Sequence, residues 1–166
     1  MEAMGAAYGV GGETPLALSN GKGFGVTDLE LTLPSVPESV PTARHRLDSL
    51  SERLPEPQLE KLRLLVSEVV SNSVRHGDGA GPIEVRITLD RSSVRVEVED
   101  PGRGFRPAVA GDPIERQHGW GLLLVERMAD RWGVVASGST VVWFELDRSP
   151  EEPWPAGFGP DGLGYT

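Results

Sequence analysis

In the segment LRLLVSEVVSNSVRHG, Leu62 to Gly77, the residues Glu68, Asn72 and His76 stand at i, i+4 and i+8. That spacing sets a carboxylate, an amide and an imidazole in one polar row along a helix. Leu62, Leu65, Val66, Val69, Val70 and Val74 recur at three- and four-residue intervals, which predicts an amphipathic helix. At about 100° per residue the row runs beside this apolar stripe and not opposite it, so three polar groups sit at the margin of the core. Three serines, one asparagine and three β-branched valines between Val66 and His76 make a poor local helix. Such breaks of local rule are enriched at functional sites. A polar flank on an ordinary core helix would carry the same residues.

Two further segments have chemistry available to them. Asp100-Pro101-Gly102-Arg103-Gly104 directly follows a run that alternates as a strand. A carboxylate there can accept a hydrogen bond from an exocyclic amine, and the neighbouring glycines let a flat ring approach the backbone. A plain strand-to-loop turn uses the same residue types. His118-Gly119-Trp120-Gly121-Leu122 opens an apolar helix. Its glycines leave backbone N–H groups facing outward, and the helix dipole favours an anion by about 0.3–1 kcal/mol. A glycine-capped helix start is the plainer reading.

The elements that must position these segments follow from periodicity. Leu29, Leu31 and Leu33 alternate with Glu30 and Thr32 as a half-buried strand ending at Pro34. Pro41 opens a helix whose apolar face is Val40, Ala43, Leu47, Leu50 and Leu54, stopped by Pro55 and Pro57. The Leu62–Gly77 helix comes next, with Gly77 suited to end it. Ile83 to Leu89 and Val94 to Val98 alternate around Asp90-Arg91-Ser92-Ser93 as a hairpin. Residues 101 to 118, with three Pro and three Gly, form a long loop. A buried helix is expected from about Gly121 to Trp132, then a last hairpin of Gly133–Ala136 and Thr140–Leu146 around Ser137-Gly138-Ser139. The order predicts an α/β two-layer sandwich, with a mixed, mostly antiparallel sheet and the helices on one face. Residues 1–26, rich in Gly and Ala, and 149–166, rich in Pro and Gly, are expected as flexible tails around a domain at 27–148.

The chain has 166 residues, enough to bury about 70% of its unfolded surface as one domain. Sixteen basic and twenty-five acidic residues give a net charge of −9, which argues against direct nucleic-acid binding. A nucleotide remains open, since one ligand needs only a local set of donors. There is no cysteine, so no disulfide framework and no thiolate metal site, and the three histidines lack metal-ligand spacing. No apolar run approaches a membrane span and no secretory leader is seen, so a cytoplasmic protein is expected.

Taken together, Glu-x-x-x-Asn-x-x-x-His on a helix, Asp-x-Gly-x-Gly after a strand and Gly-x-Gly before a helix resemble the GHKL family of ATP-binding domains. The phrases SEVVSNSVRHG, VEDPGRGF and GWGLLLVERMADRWGV carry the resemblance, over roughly Leu29 to Leu146. The chain looks closest to the stand-alone anti-sigma-factor serine/threonine kinases, which phosphorylate an anti-anti-sigma partner. By that resemblance Asn72 binds the Mg²⁺ that bridges the phosphates of ATP, and Glu68 orients or deprotonates the attacking hydroxyl. Asp100 reads the adenine amino group, Gly102 and Gly104 shape that wall, Thr140 lies close by, and His76 completes the helix pattern. Arg106 to His118 become the ATP lid, and Gly119, Gly121 and Leu122 the phosphate-side glycine box. Arg103, Arg106 and Arg116 are candidates for the γ-phosphate, Arg116 foremost among the site residues. The resemblance also implies a sigma factor and an anti-anti-sigma protein as partners, a homodimer, and a partner-binding role for Arg44 on the first helix. A non-catalytic module that binds partners according to ATP or ADP would need the same pocket. An α/β interaction domain with no nucleotide would need none of it.

Overall fold

The computed structural model describes residues 7–8, 27–77, 81–102 and 120–148. In chain order its elements are β1 (Ala7–Tyr8), β2 (Leu29–Leu33), α1 (Ser39–Arg46), a 3-10 turn at Leu47–Leu50, α2 (Glu56–His76), β3 (Ile83–Leu89), β4 (Ser93–Asp100), α3 (Trp120–Met128), β5 (Arg131–Ala136) and β6 (Thr140–Asp147). The strands form one sheet in the order β1-β5-β6-β4-β3-β2. The sheet expected as mixed and mostly antiparallel has only antiparallel ladders among the described residues.

Period-two alternation fixes which face of the sheet is buried. Val85, Ile87 and Leu89 pair with Val98, Val96 and Val94 on the inward side of β4, all three fully enclosed, and Ile83 pairs with Leu33 of β2. Phe144 and Leu146 of β6 continue that inner surface, and Leu59, Leu62, Leu65, Val66, Val69 and Val70 of α2 close over it. The other face is polar. There Glu145 lies between Arg95, at 2.7 Å, and Arg131, at 2.6 Å, and the Arg95 guanidinium stacks 4.5 Å from the centre of the Trp143 ring. Among the described residues the helices therefore cover one face, in keeping with the two-layer reading.

Local chemistry sets the connections. Asp90 accepts the backbone N–H of Ser92 and of Ser93, each at 2.7 Å, and the Ser92 hydroxyl at 2.9 Å, closing the β3–β4 turn. Gly138 has φ 80°, a left-handed conformation that suits glycine, in the turn between β5 and β6. Pro57, expected as part of a helix stop, instead lies in the first turn of α2, where its missing N–H costs no hydrogen bond. The third helix is shorter than expected. It ends at Met128, and Arg131 and Trp132 belong to β5, opposite Glu145 and Phe144. Pairing with β6 and burial of Trp132 against the core outweigh helical continuation there. Within the segment expected as an N-terminal tail, Ala7 and Tyr8 pair with Val135 and Val134.

Candidate functional site

Two of the three segments singled out for chemistry meet at one end of the sheet, and of the third only Trp120 to Leu122 belong to the described residues. β4 delivers Asp100 at its last position, and the antiparallel register sets Thr140, the first residue of β6, directly opposite. Both side chains are buried, at 7% and 1% exposure. Asp100 Oδ1 accepts the backbone N–H of Gly102 at 2.9 Å, and the Thr140 hydroxyl donates to the Gly102 carbonyl at 2.9 Å. Gly102 is thus gripped from both sides, by a carboxylate from β4 and a hydroxyl from β6. Ordered backbone next to a buried carboxylate is suited to the edge of a flat, amine-bearing ring.

The end of α2 meets the same corner. Asn72 is buried at 8% exposure, Glu68 is half-buried and His76, the last helical residue, is exposed. Gly77 N–H donates to the Ser73 carbonyl at 2.8 Å and the chain then turns out with φ −63° and ψ 148°. This is not the left-handed cap that glycine at a helix end usually supplies. Close approach is the reason for glycine here. A Cβ at Gly77 would stand 2.5 Å from the Ser73 carbonyl oxygen and 3.8 Å from Asp100 Oδ1. The end of α2 therefore lies beside the Asp100 carboxylate, and it is the Ser73 carbonyl of its own last turn that leaves no room for a side chain.

Counting about 100° per residue, Glu68 and Asn72 fall on one flank of the buried stripe of α2, while Arg63 and Ser67 fall on the other. α1 packs along that second flank, and α2 also touches α3. Arg44 belongs to the second flank and not to the cluster around Asp100. Its Nε donates to Ser67 Oγ at 3.1 Å, and with Pro41, His45, Asp48, Glu60, Arg63 and Leu64 it lines an open groove of about 460 Å³. Asp48, Glu56 and Glu60 surround the Arg63 guanidinium and hold its pKa above the ordinary arginine value, Asp48 contributing most.

Of the glycine box, Gly121 lies in α3 and Leu122 is buried in the core at 8% exposure. Leu122 is the third residue of α3, so its backbone N–H is among those a helix start leaves without an intrahelical acceptor. Gly104, Arg116 and Gly119, with Arg103 and Arg106, lie outside the described residues. Ser67 was missed in the sequence, where it counted only as a weak helix former. Its signal was the pair of four-residue spacings, Arg44 with Asp48 and Arg63 with Ser67, which set complementary groups on facing helices.

The donor set fits a purine nucleotide with a hard cation. A buried carboxylate and a glycine backbone suit the base, and the Asn72 amide oxygen suits Mg²⁺. No membrane-spanning helix occurs among the described residues. Residues 33–145, which include Glu68, Asn72, Asp100 and Thr140, match the family described as histidine kinase-like ATPase domain. Curated relatives named serine-protein kinase RsbW, from Listeria monocytogenes serotype 4a (strain HCC23) and Listeria innocua serovar 6a, are each 31% identical over 118 residues, covering 61% of this chain and 75% of the relative. A solved histidine kinase domain, from the Erythrobacter litoralis EL346 blue-light activated histidine kinase, is similar at a TM-score of 0.44 and 21% identity, covering 74% of this chain and 69% of that one.

Proposed function

The chain belongs to the histidine kinase-like ATPase domain family, and we propose that within it this protein is a Mg²⁺·ATP-dependent serine/threonine protein kinase. In this reading it acts as an anti-sigma factor and phosphorylates a Ser or Thr of an anti-anti-sigma partner in the cytoplasm. One observation carries the reading: α2 presents Glu68 and Asn72 one turn apart on the flank away from α1, and ends against the Asp100–Gly102–Thr140 corner. Relatives named serine-protein kinase, 31% identical over 118 residues, support the phosphotransferase class.

Mg·ATP supplies the γ-phosphoryl group when bound. The residues of the chain hold and orient. Asp100, fixed by the Gly102 N–H, accepts from the adenine amine, and Thr140 keeps the Gly102 backbone in place. The Asn72 amide oxygen would hold the metal, and the backbone N–H groups at the start of α3 would take the phosphates. Glu68 accepts the proton of the incoming hydroxyl, or aligns it, at a step where positioning and electrostatics supply most of the rate.

The test is phosphate labelling. Intact chain, γ-labelled Mg·ATP and soluble protein from the native cell should together yield a labelled small acceptor carrying phosphoserine or phosphothreonine. Glu68→Gln should cut the labelling rate by about 10²–10⁴-fold while calorimetric ATP affinity holds. Asn72→Ala should abolish the Mg²⁺-dependent part of binding. Nucleotide-sensitive partner binding without any labelled protein would replace the kinase by a non-catalytic switch module.

A further inference from the structure

Two parallel rungs tie α1 to α2. Arg44 and Asp48 are four residues apart on α1 and the 3-10 turn that continues it, and Ser67 and Arg63 are four apart on α2 in the opposite sense. Arg44 Nε donates to Ser67 Oγ at 3.1 Å, and Arg63 Nε and Nη2 donate to Asp48 Oδ1 at 3.1 and 2.6 Å. The rungs are joined along α2, because Ser67 Oγ donates to the Arg63 carbonyl at 2.6 Å. A serine bonded back to the carbonyl four residues earlier bends a helix slightly. The course of α2 at this turn therefore depends on how the Ser67 hydroxyl is held. Ser67 is buried at 3% exposure, and the next residue is Glu68.

We propose that Arg44 is a positioning residue: through Ser67 it fixes the turn of α2 that carries Glu68, and so makes phosphoryl transfer depend on the placement of α1. This rests on the kinase reading above and adds regulation to the same site. Glu68 leaves the opposite flank from Ser67, so a small rotation or bend of α2 at Ser67 moves the carboxylate toward or away from the acceptor hydroxyl. Asp100, on the sheet, is held instead by the Gly102 N–H and not by this turn of α2. Loss of the rung should thus be felt in turnover more than in nucleotide binding.

The experiment compares wild type, Arg44→Met, Arg44→Lys, Ser67→Ala and the Arg44→Met/Ser67→Ala pair. The readouts are the initial labelling rate of the purified acceptor at saturating Mg·ATP and the calorimetric Kd for Mg·ATP. Arg44→Met and Ser67→Ala should each slow labelling by about tenfold, while Kd stays within about twofold, as expected for a misplaced reacting group. The pair should be no slower than the slower single variant, because both remove one link. Arg44→Lys, which keeps a donor, should lose less than Arg44→Met. Wild-type rates in both single variants, parallel losses in rate and Kd, or losses that multiply in the pair would overturn the link. A wild-type chain that labels nothing would sink the link together with the kinase reading, whereas a labelling wild type with unaffected variants sinks the link alone.

Discussion

Two aspartates bracket β4 and differ in everything but residue type. Asp90 precedes the strand and receives the Ser92 and Ser93 N–H groups, with the Ser92 bond foremost in holding its pKa below the ordinary carboxylate value. A depressed folded pKa stabilises the fold above the unfolded carboxylate value, near 4, and that contribution is lost as pH falls through the lower folded value. The urea midpoint should accordingly drop less between pH 7 and pH 3 in Asp90→Asn than in the wild type; equal drops would remove the turn from the acid response. Asp100 closes the strand, buried, with Gly102 on its Oδ1. Asp100→Asn replaces a carboxyl acceptor by an amide, and calorimetry should show Mg·ATP affinity reduced by about ten- to a hundredfold, the worth of a strong hydrogen bond. The sequence distinguished the two only through their followers. Asp100 stands before Pro-Gly-Arg-Gly and suggested a ring-binding wall, whereas Asp90 suggested nothing beyond a turn.

Among the elements, α2 was the most legible and α3 the least. Six apolar positions at helical spacing defined the buried stripe of α2, and all of them pack into or against the core. Its polar row could be read too, since geometry alone puts Glu68 and Asn72 one turn apart. What periodicity cannot show is which neighbour lies on each flank, and so the Arg44–Ser67 bond was invisible until α1 was in place. At α3 the run of leucines and Val125 gave the helix but not its end, because Arg131 and Trp132 follow without a helix breaker. Their strand identity comes from partners in β6 far along the chain. The end of α2 offers a test at this scale. Gly77→Ala forces a methyl to within 2.5 Å of the Ser73 carbonyl oxygen, so the last turn of α2, which lies beside Asp100, must shift. The expected cost is on the order of 1–3 kcal/mol in denaturant unfolding, the range for overpacked sites, with weakened Mg·ATP binding alongside. A variant with wild-type ATP affinity would detach the helix end from the site.

At the scale of the whole molecule, Arg148 ties three segments together at the end of the sheet away from Asp100. Arg148 donates from Nη1 to the Asp90 carbonyl at 2.6 Å and from Nη2 to the Arg53 carbonyl at 2.9 Å, while its N–H meets the Ser92 carbonyl at 2.8 Å. It thereby joins the β3–β4 turn, the α1–α2 connection and the end of β6. Arg148→Ala should lower stability by roughly 1–3 kcal/mol, a fall in Tm of several degrees, with Mg·ATP affinity unchanged. Lost affinity would mean that the two ends communicate. Strand geometry, at about 3.3 Å per residue, separates Ser93 from Asp100 by roughly 23 Å along β4. Arg91, exposed in the turn at the far end, belongs to a chain without a single cysteine. Arg91→Cys would therefore furnish a unique thiol about 2 nm from the Asp100 corner, near enough for energy transfer from a fluorescent ATP analogue bound there and remote enough to leave the corner unobstructed.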